Sequence, residues 1–229
     1  MLKKTQYYIN TKSSNNTRTF IQVINSDTIS LAKDLVTCGL RPLVLNMANE
    51  NHPGGGWEFG ALAQEEDLFL CSTYDLSLND DYFINKEITW SYPIKQTGAI
   101  YSPGVLVFKN PNDYSILPKN EMFFIDFIAA AICHPKLIDG SFNNQDLNLT
   151  LEKIRTIFRI AILNNHSTLL LGAFGCGAFR NNPYDVANCF KQVLNEPEFK
   201  NVFNCIYFGI IDNQRTNNFY VFKDILENF

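Results

Sequence analysis

Two apolar runs in this chain each lead into a glycine-rich loop that is followed by a helix-prone segment. Leu43–Met47 precedes Gly54–Gly60, and Thr168–Leu171 precedes Gly172–Gly177. Short continuous apolar runs are typical of strands that are covered on both faces. Glycines after such strands let the backbone approach a ligand, and successive N–H groups beside a helix N-terminus attract anionic oxygens. The pattern predicts an α/β sheet with two phosphate-binding loops at its carboxyl edge, which would suit a diphosphate.

These loops differ from the common nucleotide-binding motifs. The chain has no Gly-Lys-Ser/Thr, which a P-loop needs, and its second loop reads G-x-x-G-x-G instead of the dinucleotide motif G-x-G-x-x-G. Tight turns alone are the alternative explanation for the glycines. We disfavour it, because each glycine adds an entropy cost to folding and both loops hold more glycines than a turn requires.

Hydrophobic periodicity predicts strands and helices in alternation. The predicted elements are an edge strand at 19–24, a helix at 27–38 capped by Ser26 or Asp27, a strand at 43–47, a helix at 61–72, extended segments at 99–101 and 105–108, a strand at 123–131 ending near Pro135, a helix at 151–164 capped by Asn148 or Thr150, a strand at 168–171, a helix from 183, a strand at 205–211 and a helix at 218–229. The segments 80–96 and 139–148 are predicted to be irregular. Such alternation indicates a parallel or mixed sheet with helices on both faces. We expect one domain at 26–229, preceded by an N-terminal extension at 1–25 that carries no recognisable motif.

Charge and hydropathy exclude several classes of function. Lys and Arg number 19 against 23 Asp and Glu, so the formal net charge is −4 and no broad basic surface is expected. Binding to duplex nucleic acid is therefore disfavoured. No apolar stretch reaches the roughly 20 residues that a membrane span needs, and the N-terminus has no long apolar signal segment. We expect a soluble intracellular monomer, cytoplasmic or, in a eukaryote, also nuclear, with no membrane partner.

The cysteines and histidines do not indicate a metal site. The six cysteines are widely spaced and lie mostly in apolar segments, which predicts buried free thiols. There is no Cys-x-x-Cys, and the three histidines lack paired ligand spacing. Cys176, between two glycines at a strand–helix junction, has a second interpretation as a nucleophile. We favour a role in the loop, because the sequence shows no histidine partner.

Gly54–Gly56, seven further residues and Gln64–Glu66 resemble the signature of the poly(ADP-ribose) glycohydrolases, and particularly of their compact microbial branch. Val44–Asn49 and Leu171–Asn181 also look like segments of this family, and the resemblance extends from about Asp27 to the C-terminus. It implies a three-layer α/β/α macrodomain with a mixed central sheet. It further implies hydrolysis of ribose–ribose O-glycosidic bonds with release of ADP-ribose, without a metal or cofactor. The implied partners are the ADP-ribose polymer or ADP-ribosylated proteins.

The resemblance assigns the principal catalytic role to Glu66, as a general acid and then a general base. The residues support an inward orientation, because Glu66 shares a helical stripe with Leu62 and with Phe69 or Leu70. Asp67 instead suits an acidic first turn that complements the helix dipole. By the same resemblance, Glu65 and Asn49 would bind hydroxyls of the terminal ribose, with Asn51 as a substitute for Asn49. The other residues implied to bind ADP-ribose are Gly54, Gly55, Gly56, Gln64, Gly172, Gly175, Cys176, Gly177, Ala178 and Phe179. The two glycine loops would hold the diphosphate, and Phe179 would pack on the ligand.

Two other functions are compatible with the glycine loops. A macrodomain that only binds ADP-ribose would need the glycine loops but not the paired carboxylates Glu65 and Glu66. A hydrolase for single ADP-ribose units or acylated ADP-ribose would act on the same ligand. Such relatives generally lack the Gln-Glu-Glu element, so the sequence favours the glycohydrolase.

Overall fold

The computed structural model describes residue 9 and residues 18–78, 91–131, 135, 137–211 and 216–228. The strands are β1 (Phe20–Ile24), β2 (Pro42–Ala48), β3 (Ile100–Val107), β4 (Phe123–Ala131), β5 (Leu137–Ile138), β6 (Ser141–Phe142), β7 (Thr168–Leu171) and β8 (Cys205–Gly209). The α-helices are α1 (Thr28–Thr37), α2 (Gln64–Cys71), α3 (Tyr74–Leu78), α4 (Asn144–Leu163), α5 (Pro183–Leu194) and α6 (Asn218–Glu227). Most of the predicted irregular segment 80–96, and the chain around the predicted strand end at Pro135, lie outside the described residues.

Six strands form a mixed sheet in the order β1-β8-β7-β2-β4-β3. Every neighbouring pair is parallel except β3 and β4, which are antiparallel. The edge strand predicted at 19–24 is confirmed as β1, which pairs with β8 from Phe20↔Cys205 to Ile24↔Gly209. Part of the segment predicted as an extension therefore belongs to the sheet.

Alternate residues of the central strands point to opposite faces of this sheet, and each face carries its own apolar cluster. On one face, Leu43, Leu169 and Ile206 pack with residues of α4, α5 and α6. On the other face, Val44 and Leu170 pack with residues of α1, α2 and α3. Both faces are covered because the strands are apolar at consecutive positions. The predicted three-layer α/β/α architecture is thus confirmed.

Two predicted helix starts are confirmed by their caps. Asp27 accepts a hydrogen bond from the backbone N–H of Ser30 at 2.8 Å, which identifies it as the N-cap of α1. Pro183 occupies the first turn of α5 behind the N-cap Asn182. This position tolerates proline because its missing N–H would have no helical partner.

The prediction for α4 was wrong at its N-terminus. The helix begins at Asn144, well before the predicted start at Leu151, and the supposed loop 139–148 contains β6 and the first turn of α4. Asn143 is the cap, since its side-chain oxygen accepts from the backbone N–H groups of Gln145 and Asp146. The short β5–β6 hairpin and α3 were not predicted.

Two further boundaries differ from the prediction. Helix α2 begins at Gln64 instead of Ala61, because Ala63 is extended and the preceding residues form a separate turn. The two extended segments predicted at 99–101 and 105–108 are one strand, β3. Its register shifts between Ser102 and Val105, where Gly104 has a φ of +67°.

Four of the six cysteines are buried free thiols, as predicted: Cys71, Cys176, Cys189 and Cys205. The prediction was wrong for Cys38, which is exposed because it caps the C-terminus of α1. Cys133 lies outside the described residues. Among the described helices, none is long and apolar enough to cross a membrane.

Candidate active site at the carboxyl ends of β2 and β7

A cleft of about 250 Å³ opens between the loops that follow β2 and β7, at the N-terminus of α2. Its lining residues are Met47, Asn49, Gly55, Gly56, Ala63, Gln64, Glu65, Glu66, Ala173, Gly175, Gly177, Ala178 and Phe179. Three residues predicted to contact the ligand, Gly54, Gly172 and Cys176, are not in this lining and are buried. The structure thus brings most of the predicted site residues together around one cleft.

Glu66 points inward, as the sequence indicated, and is only 8% exposed. Its Oε1 atom accepts a hydrogen bond from the backbone N–H of Gly56 at 3.1 Å. The other carboxylate oxygen, Oε2, has no hydrogen-bond partner among the described residues. The predicted stripe is only partly correct, since Phe69 is buried but Leu62 precedes the helix and is 74% exposed.

Glu65 is also buried, and its carboxylate organises the loop after β2. Its Oε1 atom accepts from the backbone N–H of Gly54 at 3.1 Å and from the Asn46 side chain at 3.3 Å. Its Oε2 atom accepts from the backbone N–H of Asn49 at 2.6 Å. Burial raises the pKa of Glu65 to about 7, although these hydrogen bonds favour the ionised form. The carboxyl group therefore changes protonation state near neutral pH.

Gln64 is bound to strand β2 through its side-chain amide. Its Oε1 atom accepts from the backbone N–H of Met47 at 2.9 Å, and its Nε2 atom donates to the carbonyl of Leu45 at 2.6 Å. A residue of a parallel neighbouring strand makes the same two bonds. The described pairing of β2 with β7 ends at Val44↔Leu170, whereas its pairing with β4 continues to Ala48↔Ala131. The amide of Gln64 thus completes the hydrogen bonding of β2 where β7 has ended.

Gly55 lies directly against both carboxylates. It adopts a φ of +58°, and a Cβ atom at this position would lie 2.6 Å from Glu66 Oε1 and 3.2 Å from Glu65 Oε2. A left-handed backbone conformation and the lack of space both favour glycine here. The nearby Asn49 side chain closes the preceding turn, because its Oδ1 atom accepts from the backbone N–H groups of Asn51 and His52. Asn49 lines the cleft and Asn51 does not.

In the first glycine loop, the backbone N–H groups of the three consecutive glycines all donate hydrogen bonds within the protein. Those of Gly54 and Gly56 bind the two glutamates, and that of Gly55 donates to the carbonyl of His52 at 3.1 Å. In the second loop, the N–H groups of Gly175, Gly177 and Ala178 have no hydrogen-bond partner among the described residues. The second loop therefore has three backbone donors that no described residue uses.

The Cys176 thiol is unsuited to nucleophilic chemistry. Its side chain is 7% exposed, and burial raises the pKa of the thiol well above its ordinary value. Its Sγ atom contacts the Phe174 carbonyl at 3.8 Å. Because a nucleophilic cysteine must form a thiolate, this geometry favours the predicted role as part of the loop. Within the described part of the chain, no group of three His, Cys, Asp or Glu residues is placed to hold a metal ion.

A second cleft of about 260 Å³ adjoins the first and shares Met47, Ala63, Gln64, Ala173 and Gly177 with it. It extends between the N-terminus of α1 and the end of β8, and Ile29, Leu62 and Ile210 give it apolar walls. The described lining of the two clefts contains no Lys or Arg. Together they form one elongated site with a carboxylate pair at one end.

Sequence reasoning missed Asn46, whose side chain is fully buried and donates to Glu65. The signal was a carboxamide in the middle of the apolar run of β2, where a polar side chain needs a buried partner. It also missed that Gln64 binds the backbone of β2. A linear sequence contains no signal for that contact, which depends on β7 being shorter than β2.

A mixed sheet between two helical layers, with a cleft between glycine loops at its carboxyl edge, defines a macrodomain-type protein. A poly(ADP-ribose) glycohydrolase from Deinococcus radiodurans, solved in complex with ADP-ribose, is 30% identical over 93% of this chain and 88% of its own, with a TM-score of 0.77. The enzyme from Thermomonospora curvata, bound to the inhibitor ADP-HPD, is 28% identical over 89% of this chain and 78% of its own, with a TM-score of 0.76. The family model of the catalytic domain of microbial-type poly(ADP-ribose) glycohydrolase (PARG) matches residues 1–110. The chain therefore belongs to the poly(ADP-ribose) glycohydrolase family.

A search of the curated proteins found no match to the chain.

Proposed function

We propose that this protein hydrolyses the ribose–ribose O-glycosidic bonds of poly(ADP-ribose) and releases ADP-ribose, with Glu66 as general acid and base. The observation that carries the proposal is a buried pair of carboxylates facing a loop with three free backbone N–H groups. Family membership supports it, as does the similar D. radiodurans enzyme solved with ADP-ribose.

The ligand would lie along the two adjoining clefts. Its diphosphate would accept hydrogen bonds from the backbone N–H groups of Gly175, Gly177 and Ala178. The described lining of both clefts has no Lys or Arg, so backbone N–H dipoles would bind the negatively charged diphosphate. The adenosine would enter the second cleft with its apolar walls, and the terminal ribose would reach the glutamates. Phe179, in the lining of the first cleft, would pack on the ligand.

Glu65 would hold the terminal ribose in place for reaction. A carboxylate oxygen offers two acceptor directions, and Glu65 Oε1 already accepts two hydrogen bonds. Its Oε2 atom accepts one, from the backbone of Asn49, so one direction remains for a ribose hydroxyl. Asn49 lines the same part of the cleft and would contact the ribose beside it.

Glu66 would act through its Oε2 atom, because Oε1 is held by Gly56. As the bond between the anomeric carbon and the departing oxygen breaks, the carboxyl proton would move to that oxygen, and positive charge would develop on the ribose ring. A water molecule would then attack the anomeric carbon and return its proton to Glu66. The reaction uses only the substrate, water and the carboxyl group.

The proposed partners are the ADP-ribose polymer and the proteins that carry it. We retain the sequence-based expectations of a monomer, of a cytoplasmic location or, in a eukaryote, also a nuclear one, and of no binding to duplex nucleic acid.

The decisive test compares the wild type with Glu66→Gln and a matched control, Glu58→Gln. Glu58 is an exposed carboxylate in the turn between the glycines and α2. Each protein is incubated with automodified poly(ADP-ribose), free ADP-ribose is quantified, and ADP-ribose binding is measured by calorimetry. We expect the wild type and Glu58→Gln to release ADP-ribose, and Glu66→Gln to bind it but to turn over at least about 100-fold more slowly. If the wild type bound ADP-ribose but released none from the polymer, the protein would be an ADP-ribose-binding macrodomain without hydrolase activity.

A further inference from the structure

Asn46 is the one polar side chain in β2, and it lies behind the cleft. Its side chain is fully buried, and its Nδ2 atom donates to Glu65 Oε1 at 3.3 Å. The neighbouring strand residues Leu45 and Val44 are apolar and are also buried. Because burying a carboxamide costs free energy unless its polar atoms are bound, its presence in this strand requires a compensating role.

The Asn46 carboxamide also lies beside a buried tyrosine. Tyr74 is fully buried, and its hydroxyl lies near the side chains of Asn46 and of Ser102, which is 4% exposed. Neither Asn46 Oδ1 nor the Tyr74 hydroxyl makes a hydrogen bond of ordinary length with a described residue. An acceptor that is already free therefore lies on the same carboxamide that donates to Glu65.

This arrangement suits a carboxyl group that gains and loses a proton. The ionised Glu65 needs donors, and Asn46 Nδ2 supplies one. When Glu65 is protonated it becomes a donor, and a half-turn of the Asn46 carboxamide presents to it the Oδ1 atom, which has no hydrogen-bond partner among the described residues. Leucine could fill the same volume, but it could not form a hydrogen bond with either the ionised or the protonated Glu65.

Among the groups that face Glu65, Asn46 is the side chain that can change from donor to acceptor when the Glu65 carboxyl group is protonated. The other ionisable groups acting on or acted on by Glu65 are Glu66, Tyr74 and Tyr92. Burial raises the pKa of both tyrosines above the usual value, so they stay neutral where Glu65 titrates. The remaining hydrogen-bond donors to Glu65 are backbone N–H groups, which cannot turn into acceptors.

We propose that Asn46 is a positioning residue for the hydrolysis, whose carboxamide holds the Glu65 carboxyl against the N–H groups of Asn49 and Gly54 and rotates with its protonation state. The contact to Glu65 stands on geometry alone, and its consequence for catalysis rests on the proposed function. Asn46 acts through Glu65, because it does not line the cleft itself.

The test measures the Glu65 carboxyl directly, by ¹³C NMR titration of glutamate-labelled protein, with Glu65→Gln to assign the signal. In Asn46→Leu, loss of a donor to the ionised carboxyl should move the Glu65 titration upward by roughly one pH unit. The pH profile of kcat/KM should move with it, and kcat/KM at pH 7 should fall roughly fivefold. Ser102→Ala, a buried polar change without a hydrogen bond to Glu65, should leave the Glu65 titration unchanged.

The outcomes separate this inference from the proposed function. An unchanged Glu65 titration in folded Asn46→Leu would overturn the positioning role, whether or not the wild type is active. A shifted titration in a protein that releases no ADP-ribose would keep the contact and overturn the hydrolysis. If Asn46→Leu does not fold, Asn46→Ser retains a shorter donor and should show the same upward shift with smaller amplitude.

Discussion

The two glycine loops follow neighbouring parallel strands, but they use their backbone N–H groups differently. The loop after β2 directs its N–H groups to protein acceptors, two of which are the carboxylates of Glu65 and Glu66. The loop after β7 leaves the N–H groups of Gly175, Gly177 and Ala178 without protein partners. The first loop thus fixes the two carboxylates, and the second leaves three donors unused, as the proposed function requires of a loop that would hold the diphosphate. Similar glycine content in sequence does not imply the same role.

The largest expected effect comes from Gly55→Ala in the first loop. A methyl group would lie 2.6 Å from Glu66 Oε1 and would displace this carboxylate, which is the flexible end of a side chain. The protein should still fold, with a small loss from the left-handed φ of +58°. We expect kcat to fall at least about 100-fold, because a displacement of about 1 Å can have that effect, and ADP-ribose affinity to change little. Steady-state kinetics and calorimetry check this, and an equal loss of affinity would contradict the division between the loops.

In the second loop, Gly175→Ala should weaken the binding of ADP-ribose and leave the turnover rate nearly unchanged. Gly175 has a φ of +72°, so alanine either strains the loop or alters the direction of its N–H groups. We expect the Kd for ADP-ribose to rise roughly ten- to thirtyfold with kcat nearly unchanged at saturation.

Gly39→Ala is the matched control for this change. Gly39 has a similar φ of +81°, lies after α1 away from the cleft, and has open space around a Cβ. It should reduce thermal stability to a similar degree without affecting ADP-ribose binding. If both variants bind equally well, the second loop does not hold the diphosphate.

The smallest effect concerns pH, and it should also separate the two loops. The pKa of Glu65 is about 7 because the group is buried, so acidification protonates it and removes the acceptor that we propose for the ribose. We expect kcat/KM to fall roughly tenfold from pH 8 to pH 6. The methyl ester of ADP has the diphosphate without the terminal ribose or a titrating phosphate, and its affinity should stay constant over this range. If kcat/KM and the affinity for the methyl ester of ADP fell together, protonation of Glu65 would affect binding at the second loop as well.

Much of the fold could be predicted because its signals are local. The apolar run of β2, the Asp27 cap and Pro183 at the start of α5 each act within a few residues of sequence. The start of α4 had such a signal too, in Asn143 followed by Asp146, but the many surrounding Asn and Gln residues suggested a loop.

The site was less predictable than the fold. That Glu66 is buried followed from helical periodicity, although Leu62 proved to be exposed. The occupation of the first loop's N–H groups did not follow, because side-chain contacts to backbone across a turn depend on the three-dimensional path of the chain. For the same reason, no pattern in the sequence linked Gln64 to the backbone of β2.

The bond between Gln64 and β2 has a consequence for protein engineering. Strand β7 ends level with Leu45 and β8 ends one residue further, whereas β2 continues to Ala48, so the sheet edge has a step beside β2. A single side-chain amide binds the part of β2 that extends past this step. The position of the site is therefore set by a difference in strand length. A designer who transplanted only the loops and glutamates onto a sheet with flush strand ends would cover the edge of β2 that Gln64 binds, so the shorter strand must be transplanted with them.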